Sequence, residues 1–187
     1  MVEPVYKRRS VWQGRVDAGS YGKAVAHAGL HVRLLDHAFA ASVLCPAGEP
    51  ATASLGPGRR YSREGVQILP MAPDQFFIES ETMPSKECLV RLFGAQATVI
   101  DQTGSRASVQ LSGPNVLDVL AKGVMIDCDP LAFPAGSGRV TLLGQLSVQI
   151  SVDAEGVFEL SCMRSMAGDM WHWIETAAGQ YGIAVGR

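Results

Sequence analysis

His27 and His31 stand four residues apart, the spacing that puts two side chains on one face of a helix and could present two metal ligands. Gly29 lies between them and the run that follows reads as a strand, so the helix that this chemistry needs is not expected. No His-Glu-x-x-His carboxylate accompanies the pair, and we read no metal site here. Asp127 and Asp129 flank Cys128 ahead of Pro130, two carboxylates within one turn; aspartate and proline serve turns through local hydrogen bonding, and that reading is preferred. A nucleophile needs a neighbouring base. There is no Gly-x-Ser-x-Gly elbow, and Ser112-Gly-Pro114 is explained as a helix start. Gly19-Ser-Tyr-Gly22 and Leu55-Gly-Pro-Gly58 are loosely glycine-rich but join no strong strand to a strong helix, so both are read as loops rather than phosphate cradles. His172 is expected on a polar helix face, as a solvated or interface histidine. The expectation is a chain with no catalytic, cofactor-binding or metal-ligating residues of its own.

Composition points the same way. The chain has 187 residues, 47% of them apolar and only 18% charged, with a net charge of −2. A chain of this length buries about 70% of its unfolded surface without staples, and low charge makes it a candidate for covering part of its surface with a partner. The single basic cluster, Lys7-Arg8-Arg9, is read as a solvated tail, so no nucleic-acid partner is expected. No apolar stretch reaches the ~18 residues of a membrane span. Cys45, Cys88, Cys128 and Cys162 are spaced too widely for a metal site, and no secretory segment is evident. They are read as buried free thiols in a reducing, cytoplasmic setting.

The elements that would position side chains fall into three stretches. Residues 1–20 read as an extended arm with isolated aromatic residues, which either folds back or docks elsewhere. Residues 30–98 read as a smaller α+β lobe. Its expected elements are strands at His31–Leu35 and Phe39–Cys45, a mobile loop over Thr52–Gly65, a hairpin of Val66–Leu69 with Phe76–Glu79, and a helix capped by Ser85. Residues 99–187 read as a second α+β lobe. Here Ala107, Val109 and Leu111 alternate with polar residues as a half-buried strand. Val116, Leu117 and Leu120 form a helix face ended by Gly123. A strand from Leu142 to Ile150 with one wet face turns at Asp153–Gly156 into a strand of Phe158, Leu160 and Cys162. A last helix is expected from Ser165, with Met166, Met170, Trp173 and Ala177 on one stripe. Helices packed on one face of antiparallel sheets make an α+β fold. Trp171 and Trp173 point about 200° apart on a helix, so one can face outward. Tyr6, Trp12 and Trp171 are the partner-interface candidates, tryptophan being favoured at binding hot spots.

One ordered series of short motifs runs from Ile100 to Gly182: Val99-Ile-Asp-Gln-Thr-Gly104, Val109-Gln-Leu-Ser-Gly-Pro114, Val119-Leu-Ala-Lys-Gly123, Asp127-Cys-Asp-Pro130, Phe133-Pro-Ala-Gly136, Thr141-Leu-Leu-Gly144, Met163-Arg-Ser165 and Trp171-His-Trp173. In order and spacing it resembles the gamma subunits of heterotetrameric sarcosine oxidases, which are related to the folate-binding part of glycine-cleavage aminomethyltransferases. The likeness extends faintly through Ala72-Pro-Asp-Gln-Phe-Phe77, and the first 60 residues match little. The resemblance implies an aminomethyltransferase-like fold and a cytoplasmic complex with alpha, beta and delta subunits. Those other subunits would carry FAD, FMN, NAD, tetrahydrofolate and zinc, and oxidise the N-methyl group of sarcosine. N-methylglutamate dehydrogenases share this subunit plan, so the amine is left open. Aminomethyltransferases carry an Asn-Asp pair where this chain has Lys122-Gly-Val-Met-Ile-Asp127. No catalytic residue therefore transfers, and the expected role is a non-catalytic subunit packing against the large folate-binding one. A standalone folate-binding one-carbon protein and an adaptor domain are the competing readings.

Overall fold

The computed structural model describes residues 9–186. In chain order the elements are β1 (Gly19–Tyr21), β2 (Leu30–Leu35), β3 (Phe39–Leu44), β4 (Tyr61–Arg63), β5 (Val66–Ala72), β6 (Gln75–Ser80), α1 (Lys86–Phe93), β7 (Thr98–Asp101), β8 (Arg106–Ser112), α2 (Val116–Leu120), β9 (Gly138–Leu143), β10 (Leu146–Val152), β11 (Phe158–Met163), α3 (Ala167–Ala178) and β12 (Ile183–Gly186). The α+β expectation holds. The strands form a seven-stranded sheet in the order β1-β12-β2-β8-β11-β10-β9 and a five-stranded sheet in the order β4-β5-β6-β3-β7. All pairings are antiparallel except β12 with β2.

Side-chain alternation decides how the sheets stack. Val109, Leu111, Val148, Ile150 and Leu160 point to one face of the larger sheet and pack under Met170 and Ile174 of α3 and Val119 and Leu120 of α2. Val43, Ile68, Phe76 and Ile78 on the smaller sheet pack under Leu92 and Phe93 of α1. The remaining faces meet each other, so the order of layers is helix, sheet, sheet, helix. This corrects the reading of the polar faces as wet: Ser108, Gln149, Ser151, Glu159 and Ser161 are all buried, between the sheets.

Several other expectations change. The stretch from Leu142 to Ile150 is two strands, turning at Gly144, whose φ of +59° suits the turn. Thr52–Gly65 is not a free loop. It contains β4, and Arg60 N–H donates to Gly136 O while Gly138 N–H donates to Gly58 O, stitching it to the larger sheet. Gly19–Tyr21 is a strand rather than a loop. Ser85 caps α1 as expected, its Oγ accepting from Cys88 N–H at 3.1 Å. Ser165 instead lies in a 3-10 turn, and α3 starts two residues later with no side-chain cap. On α2 it is Val119 rather than Leu117 that is buried. The 98/99 boundary does not divide the sheets, because β2 belongs to the larger sheet and β7 to the smaller one. Among the described residues no helix is long and apolar enough to cross a membrane.

The Ser112-Gly-Pro114 motif has a packing cause. Gly113 holds φ +113°, and a Cβ there would stand 2.7 Å from Gly29 O. Gly113→Ala is expected to cost about 1–3 kcal/mol of stability, read as a lower midpoint in urea unfolding; an unchanged midpoint would contradict the close approach.

Candidate functional site

Between the sheets lies a cluster that the sequence did not announce. His37 comes from the β2–β3 link, Arg60 from the residue before β4, Glu79 from β6 and Glu159 from β11. Arg60 Nη2 donates to Glu159 Oε1 at 2.9 Å, and its Nη1 donates to Ser151 Oγ at 2.7 Å. His37 Nε2 stands 3.7 Å from Glu79 Oε2 and 3.9 Å from Glu159 Oε1. Beneath them, Ser108 Oγ lies 3.5 Å from Glu79 Oε1 and 3.0 Å from Ser161 Oγ. Arg106 adds a guanidinium 4.7 Å from the centre of the Phe77 ring. The two carboxylates are thus held by residues from both sheets.

Burial dominates the electrostatics. It pushes the Glu79 carboxyl above its ordinary range, with the neighbouring Glu159 adding to the rise, while His37, Arg60 and Arg106 pull it back. His37, Glu79 and Glu159 offer ligand atoms within 4.8 Å of one another, and are the group among the described residues that could hold a metal ion. Arg60 and Arg106 already bring two positive charges to the same carboxylates, so the cluster is balanced as a salt-bridged joint. Beside it opens a cleft of about 730 Å³, bounded by Leu35, Val152 and Val157 and floored by Arg60, His37 and Glu159. That volume is in the range of small-molecule sites and side-chain-receiving grooves.

The residues singled out by sequence lie elsewhere. Trp12, read as an interface candidate, is 1% exposed and donates Nε1–H to Leu35 O at 3.3 Å. Residues Val11, Trp12 and Val16 fold back onto the larger core, where an indole gains more from burial than from solvent. Trp171 is also buried, edge-on to Tyr21 with ring centres 5.1 Å apart. Neither offers a free surface on this chain, and Tyr6 lies outside the described residues. Trp173 is half-buried and rests on the backbone of Gly123, where a Cβ would come within 2.7 Å of its ring. His31 sits on β2 and His27 in the turn before it, both exposed, and the helix that would align them is absent. Asp127 and Asp129 are turn residues: Oδ1 of each accepts a backbone N–H at 2.9 Å, from Asp129 and Leu131 respectively. All four cysteines are free. Burial pushes the Cys128 and Cys162 thiols up to about 11, leaving them poor nucleophiles at neutral pH. The signal that could have found the cluster was a lone glutamate inside each of two apolar strands, Phe76-Phe-Ile-Glu-Ser80 and Phe158-Glu-Leu160.

Two outcomes test this geometry. Arg60→Ala should cost about 3 kcal/mol by leaving Glu159 buried without its partner, and adding Glu159→Gln should recover part of the loss in urea unfolding. For Glu79, the folded state binds a proton more tightly than the unfolded chain. Its contribution is fully present below the ordinary carboxylate range and is lost as pH rises through the raised folded value. Glu79→Gln should flatten the fall in stability over that window; an identical pH profile would refute the assignment.

Residues 63–180 match the model of the "Sarcosine oxidase, gamma subunit family". The sarcosine oxidase subunit gamma of Corynebacterium sp. (strain U-96) is 25% identical over 122 residues, 64% of this chain; the aligned stretch spans 60% of that relative's length. Among solved structures, a chain of the heterotetrameric sarcosine oxidase from Corynebacterium sp. U-96, in complex with pyrrole 2-carboxylate, superposes with a TM-score of 0.76. The identity is 20%, over 93% of this chain and 96% of that one. Glycine cleavage system aminomethyltransferase T from Bartonella henselae shares the fold at a TM-score of 0.58 and 16% identity, over 86% of this chain and 48% of that enzyme.

Proposed function

The chain belongs to the sarcosine oxidase gamma subunit family, and from that premise we propose that it is the gamma subunit of a heterotetrameric sarcosine-oxidase-type complex. The observation that carries this reading is the extent of the fold likeness: 93% of this chain superposes on 96% of one chain of a heterotetrameric oxidase. It therefore corresponds to a whole building block of such an assembly, whereas it spans only 48% of the aminomethyltransferase.

In this reading the chain contributes no catalytic group. Its titratable cluster ties two sheets together, Asp127 and Asp129 close a turn, and three of its four thiols are buried. Oxidation of the N-methyl group of a secondary amine, with transfer of the carbon to tetrahydrofolate, belongs to the alpha and beta subunits with their FAD, FMN and NAD. Zinc belongs to the delta subunit. This chain packs against the large folate-binding subunit in the cytoplasm and completes its shape. Sarcosine is the first substrate to try and N-methylglutamate the second, since a subunit of this plan serves either.

The test is a pull-down of the tagged chain from its own host, with absorbance and mass spectrometry on the eluate. A yellow eluate containing two large subunits and a small zinc-binding chain, turning over sarcosine, is the expected result. A complex that assembles and turns over fully without this chain would sink the proposal.

A further inference from the structure

The cleft beside the interlocked sheets has a charge pattern of its own. On its floor Arg60 and Glu159 neutralise each other. At its mouth stand Glu81, which follows β6, and Asp153, which opens the β10–β11 turn; both are exposed and both line the cleft. Among the described residues neither has an ion-pair partner. Glu155, also exposed, adds a third carboxylate in the same turn. Between mouth and floor, Leu35, Val152 and Val157 give the lining an aliphatic side, shared with polar residues that include Gln67, Thr82 and Gln110. An aliphatic side beneath an acidic mouth, with polar groups opposite, fits a long aliphatic stem ending in a cation, since lysine and arginine lay their methylenes along apolar surface and carry charge at the tip.

We propose that this cleft receives a lysine or arginine side chain carried on an extended basic segment of a partner subunit. The proposal rests on the subunit reading above and names the surface through which that subunit engages. Charge complementarity selects the occupant. An acidic or apolar segment would leave the mouth carboxylates uncompensated as they lost water, and like charges across an interface are strongly disfavoured. The volume of about 730 Å³ accommodates a segment of chain with its side chain, more than a bare ion needs.

The experiment uses the complex as purified through the tagged chain. Glu81→Lys combined with Asp153→Asn cancels the net negative charge at the mouth, Glu155 included. Asparagine keeps the Oδ1 that accepts the turn N–H groups of Glu155 and Val157, each at 2.9 Å. Both sites are exposed, so an unchanged thermal midpoint verifies folding. The expected result is a roughly tenfold weaker affinity for the partner chains and a flatter dependence on salt. If the variant holds its partners with unchanged affinity and salt dependence, the docking proposal is overturned while the subunit reading stands. If the wild-type chain brings down no partner chains at all, the subunit reading fails and the docking proposal with it. Titrating the isolated chain with butylammonium and with Mn²⁺ covers the other occupants. Binding of either that is lost in the variant, with assembly unaffected, overturns the proposal in favour of a small cation.

Discussion

Two sheets that meet through their polar faces impose the constraint on which this molecule is built. An ordinary sandwich buries apolar side chains between its sheets and turns polar ones outward. Here helices cover the outer apolar faces, and the middle layer must satisfy charged and hydroxyl groups that lie beside Leu69 and Phe77. Buried polar groups are expensive unless paired, and the pairing of Arg60 with Glu159 and Ser151 answers that cost across the layer. The segment carrying Arg60 has to be held in place for this, which is why residues 58–60 are stitched to residues 136–138. The chain order of the strands follows from the same need. β2 and β3 are separated by a short link carrying His37, and they enter different sheets, so the cluster sits where the chain passes from one sheet to the other.

Much of this was legible from residue types. The alternation of Phe158, Leu160 and Cys162 located β11, the Ser85 cap located α1, and the apolar pair of runs at residues 30–45 located β2 and β3 within a residue of their ends. The polar faces were misread because alternation reports which side chains differ, not what covers them. Ser108 and Gln149 look solvent-facing in sequence and are buried only because a second sheet arrives. β12, with four residues after a glycine, and β1, with three, are too short for periodicity to declare; each exists through pairing with a distant strand. The stretch from Leu142 to Ile150 looked continuous because the hairpin turn keeps the apolar rhythm on both sides of Gly144.

The motifs that carried the family resemblance turn out to be packing devices. Gly113 allows the close approach to Gly29, and Gly123 makes room for the ring of Trp173, which also lies near Gly144. Asp127 and Asp129 brace a turn. Resemblance of this kind reports shared architecture, the outline this chain has in common with an aminomethyltransferase.

β12 is the central strand of its end of the larger sheet, with β1 on one side and β2 on the other, although some 150 residues separate it from both in sequence. Closing so long a loop is slow compared with forming the β9-β10-β11 meander from neighbours in the chain. One end of the larger sheet is therefore built from neighbours in the chain and the other from strands distant in sequence. Residues 183–186 thus give β1 the strand it pairs with and cover one edge of β2, holding together two segments far apart in the chain.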